Sequence, residues 1–303
     1  MRYYFAPLEG ITDRTYRELH HRFFSGLDRY YTPFFSPTCH RQLTPKETRE
    51  LPPADTLGYA LVPQVLTKVA EDFLWFAGKC QELGYEEVNL NVGCPSGTVT
   101  AKGKGSGMLK EPEKLDEFLD CIFHGAPLPI SVKTRIGFDD PEEFPRLLEI
   151  FNRYPVKELI IHPRVRQDFY KRTPNLDVFR QAVENSKNPL CYNGDLNSLE
   201  DIEAFAKEFS SVQAVMIGRG LVGNPGMLTP DATVETLENF HDALMETYAK
   251  QFGSERNTMF RMKEHWFYLM EHLHATEKQA KALRKATDIR SFRAITKEIF
   301  RNA

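Results

Sequence analysis

The stretch Glu87-Val88-Asn89-Leu90-Asn91-Val92-Gly93-Cys94-Pro95 decides the fold. A strand period of two puts Val88, Leu90 and Val92 on one face and Asn89 and Asn91 on the other. In a barrel, alternate residues of each strand point inward and the C-terminal strand ends build the site, so a stave with one apolar and one amide face is expected there. Outward from it, seven more short apolar or β-branched runs recur near Tyr3–Ala6, Arg29–Phe35, Tyr59–Leu66, Pro129–Thr134, Glu158–His162, Pro189–Asn193 and Ala214–Gly218. Amphipathic segments such as Val69–Leu83 and Pro141–Tyr154 lie between them. Strict β-then-α alternation implies parallel strands with crossover helices. Eight such units predict an α/β architecture, a (β/α)8 TIM barrel rather than an open doubly wound sheet.

After Gly223-Asn224-Pro225-Gly226 the strand signals stop. The expected division is a catalytic barrel over residues 1–230 and a smaller all-helical domain over 231–303. In the latter, Met262, Trp266, Leu269, Met270 and Leu273 recur at spacings of three and four, the apolar face of one helix.

Of 303 residues, 41% are hydrophobic and 27% charged, enough to bury a large core, and no run has the length of a membrane span. Met1–Gly10 lacks a secretory leader pattern, so the expected address is cytoplasmic. Five cysteines without a C-x-x-C pair suggest neither a disulfide framework nor a zinc knuckle. Cys80, Cys121 and Cys191 read as small buried hydrophobes, Cys39 beside His40 is too few ligands for a metal, and none is expected. Net charge is −3, but residues 255–303 hold 11 Lys/Arg against 6 Asp/Glu, a net of +5 that leaves −8 on the rest. That basic end is a candidate contact for a polyanion, with a solvated helical face as the plain alternative.

Gln64, Asn91, Lys133, His162 and Asn193 recur at the same end of five strands. Each buried polar group costs free energy unless paired, so a shared polar ligand is the simpler account. Loops after the seventh and eighth strands commonly hold phosphate in such barrels, and Gly194, Gly218 and Arg219 suit that role, while Gly220 and Gly223 need be no more than turn residues. Cys94 sits in a glycine-flanked loop on the catalytic face, not where core cysteines sit. Lys102-Gly103-Lys104-Gly105-Ser106-Gly107 has the wrong spacing and context for a dinucleotide motif and reads as a mobile, basic lid or substrate loop.

With these residues the chain resembles the dihydrouridine synthase family, flavoenzymes that reduce uridine in transfer RNA. The likeness runs from Ala6-Pro7-Leu8-Glu9-Gly10-Ile11-Thr12-Asp13 to Gly218-Arg219-Gly220, and more weakly into the tail. Its most specific element is Asn91-Val92-Gly93-Cys94-Pro95 followed by Gly105-Ser106-Gly107-Met108-Leu109, with Val132-Lys133-Thr134-Arg135, His162 and Asn193-Gly194-Asp195 in order. The resemblance implies FMN held by Pro7, Leu8, Glu9, Gln64, Lys133, His162, Asn193, Gly194, Asp195, Gly218 and Arg219, with NADPH as reductant and Cys94 as proton donor. Two departures, His162-Pro163-Arg164 for the usual His-Gly-Arg and Phe169-Tyr170-Lys171-Arg172 for a Tyr-x-Gly element, bear on the target nucleotide more than on the chemistry.

Reducing the uracil C5=C6 bond needs a hydride at C6 and a proton at C5, and no side chain supplies hydride, so a reduced flavin must. A thiol of ordinary pKa, about 8.5, suits Cys94 as the acid. Lys133 would stabilise an anionic flavin ring, and the Asn91 amide matches a uracil edge. A uridine within folded RNA must leave its stack to react. Arg135, Arg164, Arg166, Lys102 and Lys104 are candidate substrate contacts, with Lys171 and Arg172 near the mouth and Arg261, Lys263, Arg284, Lys285, Arg290, Arg293 and Lys297 along the tail. The expected partners are tRNA, with ribosomal RNA as a further substrate class, and NAD(P)H; no membrane and no obligate protein partner is indicated. One rival is an FMN barrel acting on a free pyrimidine, against which the basic tail speaks. A second is a non-catalytic RNA-binding relative, against which Cys94 and Lys133 speak.

Overall fold

The computed structural model describes residues 1–303. Nine parallel strands form one sheet: β1 (Arg2–Phe5), β2 (Arg29–Tyr31), β3 (Leu61–Val62), β4 (Gln64–Val65), β5 (Val88–Val92), β6 (Ile130–Arg135), β7 (Leu159–His162), β8 (Leu190–Tyr192) and β9 (Ala214–Ile217). Their order is β3-β2-β1-β9-β8-β7-β6-β5-β4. Pro63, which has no N–H to give a ladder, separates β3 from β4, so these are two halves of one stave. One half pairs with β2 and the other with β5, and the sheet closes into a barrel of eight staves. The second stave is shorter than expected: it ends at Tyr31, two residues before Pro33, and Phe35 makes only an isolated bridge to Val65.

Helices α1 (Arg14–Phe23), α2 (Pro45–Glu50), α3 (Ala70–Glu82), α4 (Gly97–Thr100), α5 (Pro112–Gly125), α6 (Phe144–Phe151), α7 (Leu176–Asn185), α8 (Leu199–Glu208) and α9 (Arg219–Gly223) alternate with the staves. Val88, Leu90 and Val92 join the apolar layer between staves and helices, with Phe73, Phe76 and Leu119. Tyr4, Ala6, Tyr31, Val62, Ile160, Cys191, Ala214 and Met216 form a separate cluster inside the barrel. Each large side chain buried this way contributes about 1.5–3 kcal/mol. At the barrel floor, Glu158 pairs with Arg2, and Glu87 with Arg29 and Lys157.

The tail is helical as expected: α10 (Val234–Phe252), α11 (Glu255–His272), α12 (Glu277–Lys285) and α13 (Ile289–Asn302). Thr233 caps α10 through a capping box, and Gly253 in the left-handed region (φ +58°) ends it. Met262, Trp266, Leu269 and Leu273 are buried, while Met270 is only half-buried. The tail docks on α1 through rings: Tyr16 stacks on His265 (centroids 5.0 Å apart) and meets Phe240 edge-on at 5.5 Å. The Tyr248 hydroxyl donates to Asp13 Oδ1 at 2.8 Å. The apolar layer runs unbroken from the barrel into these helices.

Two expectations fail here. Cys121 is exposed, because the buried stripe of α5 is Leu115, Phe118, Leu119 and Ile122 and Cys121 lies to one side of it. The second half of the glycine-rich segment is no mobile lid: Gly105–Leu109 are all buried, packed under the Cys94 loop, whereas Lys102 is exposed and Gly103 and Lys104 are half-buried. No helix is long and apolar enough to cross a membrane.

Candidate active site

A cavity of about 500 Å³ opens at the C-terminal ends of the staves, lined by Pro7, Leu8, Glu9, Gln64, Asn91, Cys94, Lys133, Arg135 and His162 among others. A smaller one of about 60 Å³ adjoins it, sharing Pro7, Leu8, Lys133 and His162 and adding Asn193, Gly194, Asp195, Gly218 and Arg219. All eleven residues expected to hold a cofactor therefore meet at one place.

Cross-strand register builds the floor. Gln64 faces Asn89, Asn89 faces Ser131 and Asn91 faces Lys133 on neighbouring staves. Asn91 Nδ2 donates to Gln64 Oε1, Gln64 Nε2 to Asn89 Oδ1, and Asn89 Nδ2 to Ser131 Oγ, each at 2.8 Å. The Asn91 carbonyl accepts from the backbone N–H of Gly93 (3.0 Å) and Cys94 (2.9 Å). Asn91, expected on the substrate edge, thus first positions the cysteine loop and keeps one amide hydrogen for the cavity.

Ser106 holds the loop from below, its N–H and hydroxyl both donating to the Cys94 carbonyl at 3.1 and 2.9 Å. Cys94 is half-buried. Burial pushes its thiol up, against the opposing pull of the Ser96 N–H, Arg135 and Lys133, so it is protonated at neutral pH. The Lys133 ammonium has no partner within the protein; burial first, and Arg135 second, push it down to about 8. His162 Nε2 lies 2.9 Å from Arg164 Nη1. A guanidinium can only donate, so the neutral ring carries its proton on Nδ1. Burial, then Arg135 and Lys133, hold this imidazole well below its ordinary value and keep it neutral.

The arginines expected on substrate also hold the scaffold, and Arg135 lines the cavity as well. Arg135 is buried, donating to the carbonyls of Gly93 (3.0 Å), Val165 (2.9 Å) and Phe169 (2.9 Å), which ties the loops after β5 and β7 together. Arg164 is buried too, and forks onto both oxygens of Asp195. Arg166 donates to the Pro95 carbonyl at 3.2 Å and lies over the rings of Phe138 and Phe169. Arg135 and Arg164 thus spend most of their donors within the protein, whereas Arg166 engages only its Nε. Lys104 reaches Ser36 Oγ at 3.1 Å, and Lys102 is exposed.

Asp195, expected among the cofactor ligands, bridges Arg164 and Arg219, whose Nη2 donates to Oδ1 at 2.6 Å. Burial raises its pKa, but the two guanidiniums outweigh that and hold the carboxyl below the usual range. A carboxylate so placed orients Arg219 and would repel phosphate. Asn193 Nδ2 donates to the Met216 carbonyl at 2.7 Å, leaving its own carbonyl free. A Cβ on Gly194 would lie 1.9 Å from the Tyr192 hydroxyl, and one on Gly220 2.2 Å from the Leu196 carbonyl, so both are required by close packing.

Tyr170 and Tyr268 were missed. Tyr170 lies beneath the Arg219 guanidinium, 4.6 Å from ring centroid to carbon, and lines both cavities. Phe169 beside it takes φ +47°, a conformation costly for a ring-bearing residue and invisible in sequence. Tyr268 comes from α11, so the tail completes the barrel's cavity. Of the tail cations, Lys263 donates to the Arg284 and Ala286 carbonyls at the end of α12, Arg293 to Met245 Sδ, and Arg261 to Glu264. Arg284, Lys285, Arg290 and Lys297 remain exposed.

The family model described as dihydrouridine synthase (Dus) matches residues 4–302. Among curated relatives, tRNA-dihydrouridine synthase B of Vibrio vulnificus is 24% identical over 291 residues, covering 90% of this chain and 87% of the relative. The tRNA-dihydrouridine(16) synthase of Pseudomonas putida is 29% identical, covering 73% and 70%. Among solved structures, a morphinone reductase variant in complex with tetrahydroNAD superposes with a TM-score of 0.55 at 12% identity, covering 75% of this chain and 85% of its own. An old yellow enzyme homologue from Zymomonas mobilis gives 0.55 at 11%, covering 74% and 86%. At such identities the structural likeness concerns the barrel fold alone.

Proposed function

This chain belongs to the dihydrouridine synthase family, and from that premise we propose that it reduces the C5=C6 bond of uridines in tRNA to 5,6-dihydrouridine, with FMN in the paired cavities and NADPH as reductant. The observation that carries the reading is the neutral thiol of Cys94 in one cavity with the unpartnered ammonium of Lys133. The residues fit a flavin mononucleotide: a polar, neutral imidazole and a lysine where a heterocyclic ring needs partners, and a glycine-lined recess with Arg219 where a phosphate needs room and charge.

Gln64, Lys133 and His162 would hold the ring, and Asn193, Gly194, Gly218 and Arg219 the ribityl phosphate. When bound, FMN supplies the hydride that no side chain can. Cys94 Sγ then releases its proton to C5, and its burial delays loss of that proton until the acceptor carbon is basic. Asn91 aims the thiol through two backbone bonds, and Lys133 offers positive charge to an anion formed in the cavity. Asp195 keeps Arg219 at the phosphate recess. On this reading residues 1–230 catalyse, 231–303 dock RNA, and the protein works among cytoplasmic RNA.

Incubating the purified protein with NADPH and an unmodified tRNA tests this. Bound FMN released on denaturation and dihydrouridine formed at discrete positions are expected. Colourless protein that cannot be reconstituted with FMN, or turnover of free uracil in preference to tRNA, overturns the reading.

A further inference from the structure

We infer that the outer face of α11 is a stacking platform for unpaired RNA bases, with Phe267 and Phe260 as its two steps; this rests on the RNA reading above. Phe267 is the most exposed large apolar side chain of the protein, at 68%, and Phe260 on the same helix is 48% exposed. Seven residues apart, they lie on one face about 10 Å from each other along the axis. Such exposure costs solubility and contributes nothing to the core, whose stripe on this helix is Met259, Met262, Trp266 and Leu269.

Three features select an RNA base over other occupants. The guanidinium of Arg256 lies 5.6 Å and the ammonium of Lys263 5.7 Å from the Phe260 ring, so cations flank the ring as at sites that stack bases along a charged backbone. Glu264, which accepts from Arg261, stands between the two rings and interrupts the continuous apolar patch that a protein interface needs. The platform also leads to the site: Phe267 packs edge-on against Tyr268 at 5.2 Å, and Tyr268 lines the Cys94 cavity. Phe267 and Tyr268 further share a cleft of about 460 Å³ with Asn197, Asn224 and Glu271. The Asn197 and Asn224 amides and the Glu271 carboxylate match the amide and amine edges of a base stacked on Phe267, while Arg219, the one guanidinium of that cleft, is already paired with Asp195.

The test uses full-length protein and unmodified tRNA, with affinity measured across a salt series. Phe267→Ala and Phe260→Ala should each weaken tRNA binding about tenfold, with the salt slope of wild type retained and NADPH oxidation without RNA unchanged. Phe267→Trp should restore affinity, and Phe267→Leu, apolar but not flat, should not. Restoration by leucine, loss of a dimer on sedimentation, or an effect confined to the KM for NADPH would overturn the platform. Wild-type protein that binds no RNA removes the functional reading and the platform with it, whereas wild-type affinity in both alanine variants removes the platform alone.

Discussion

Cys94 and Lys133 share one pocket, and the same cause, burial, moves one pKa up and the other down, both toward the neutral form. The thiol stays neutral, whereas the lysine is poised near its transition, which makes its charge the pH-sensitive quantity. Lys133 is cationic below about 8 and neutral above it. Affinity of the apoprotein for the anionic ligand FMN should therefore fall as pH rises from 7 to 9, and the Lys133→Met variant should bind weakly with a flat profile in the same titration. Cys94→Ala should keep FMN and its reduction by NADPH while dihydrouridine formation falls about 100-fold or more, since only proton delivery is lost. Arg164→Ala separates scaffold from substrate contact. Asp195 is half-buried and keeps Arg219, so losing Arg164 should cost about 1.5–3 kcal/mol, read as a lower denaturation midpoint with an unchanged KM for tRNA.

At the scale of elements, glycine conformation and buried histidines decide most. Gly105 sits at φ +56° with a Cβ position 2.9 Å from the Cys94 carbonyl oxygen, so Gly105→Ala should destabilise by about 1–2 kcal/mol and displace the cysteine loop. Gly78 is the contrast: inside α3 with open space around it, its change to alanine should stabilise by about 0.5–1 kcal/mol, both read by denaturant midpoints. Where α1 meets the tail, burial holds His20 and His265 neutral, each down to about 3. Their unfolded values are about 6.5, so the unfolded chain takes up protons that the folded one refuses. Stability is complete above about 6.5 and declines as pH falls toward 3, by up to about 1.4 kcal/mol per unit for each histidine. Thermal midpoints from pH 7 to 4 should show that slope, and His265→Phe should reduce it.

For the whole molecule, the basic tail divides into cations that build it and cations that face out. Lys263 closes the end of α12, so Lys263→Ala should lower stability. Lys285 and Arg290 are exposed, and replacing both with alanine should flatten the slope of log affinity for tRNA against log salt by about 1.4–1.8. Equal slopes would mean that these two belong to a solvated face.

The strand period of Val88–Val92, repeated in seven further runs with amphipathic segments between them, already carried the barrel, because the period of each run is a local property of the chain. The same locality made Gln64, Lys133, His162 and Asn193 legible as one site, each being a polar residue at the C-terminal end of its stave. What sequence could not supply was the partner of each charge. Arg135 and Arg164 read as free cations until carbonyls from distant loops and the carboxylate of Asp195 came within hydrogen-bond distance. Only tertiary structure also brought Tyr268 from α11 over the mouth, and made Gly105–Gly107 a buried support for Cys94. A residue's face follows from backbone geometry at its own position, whereas what it touches depends on how far separate elements approach, and that is settled by packing.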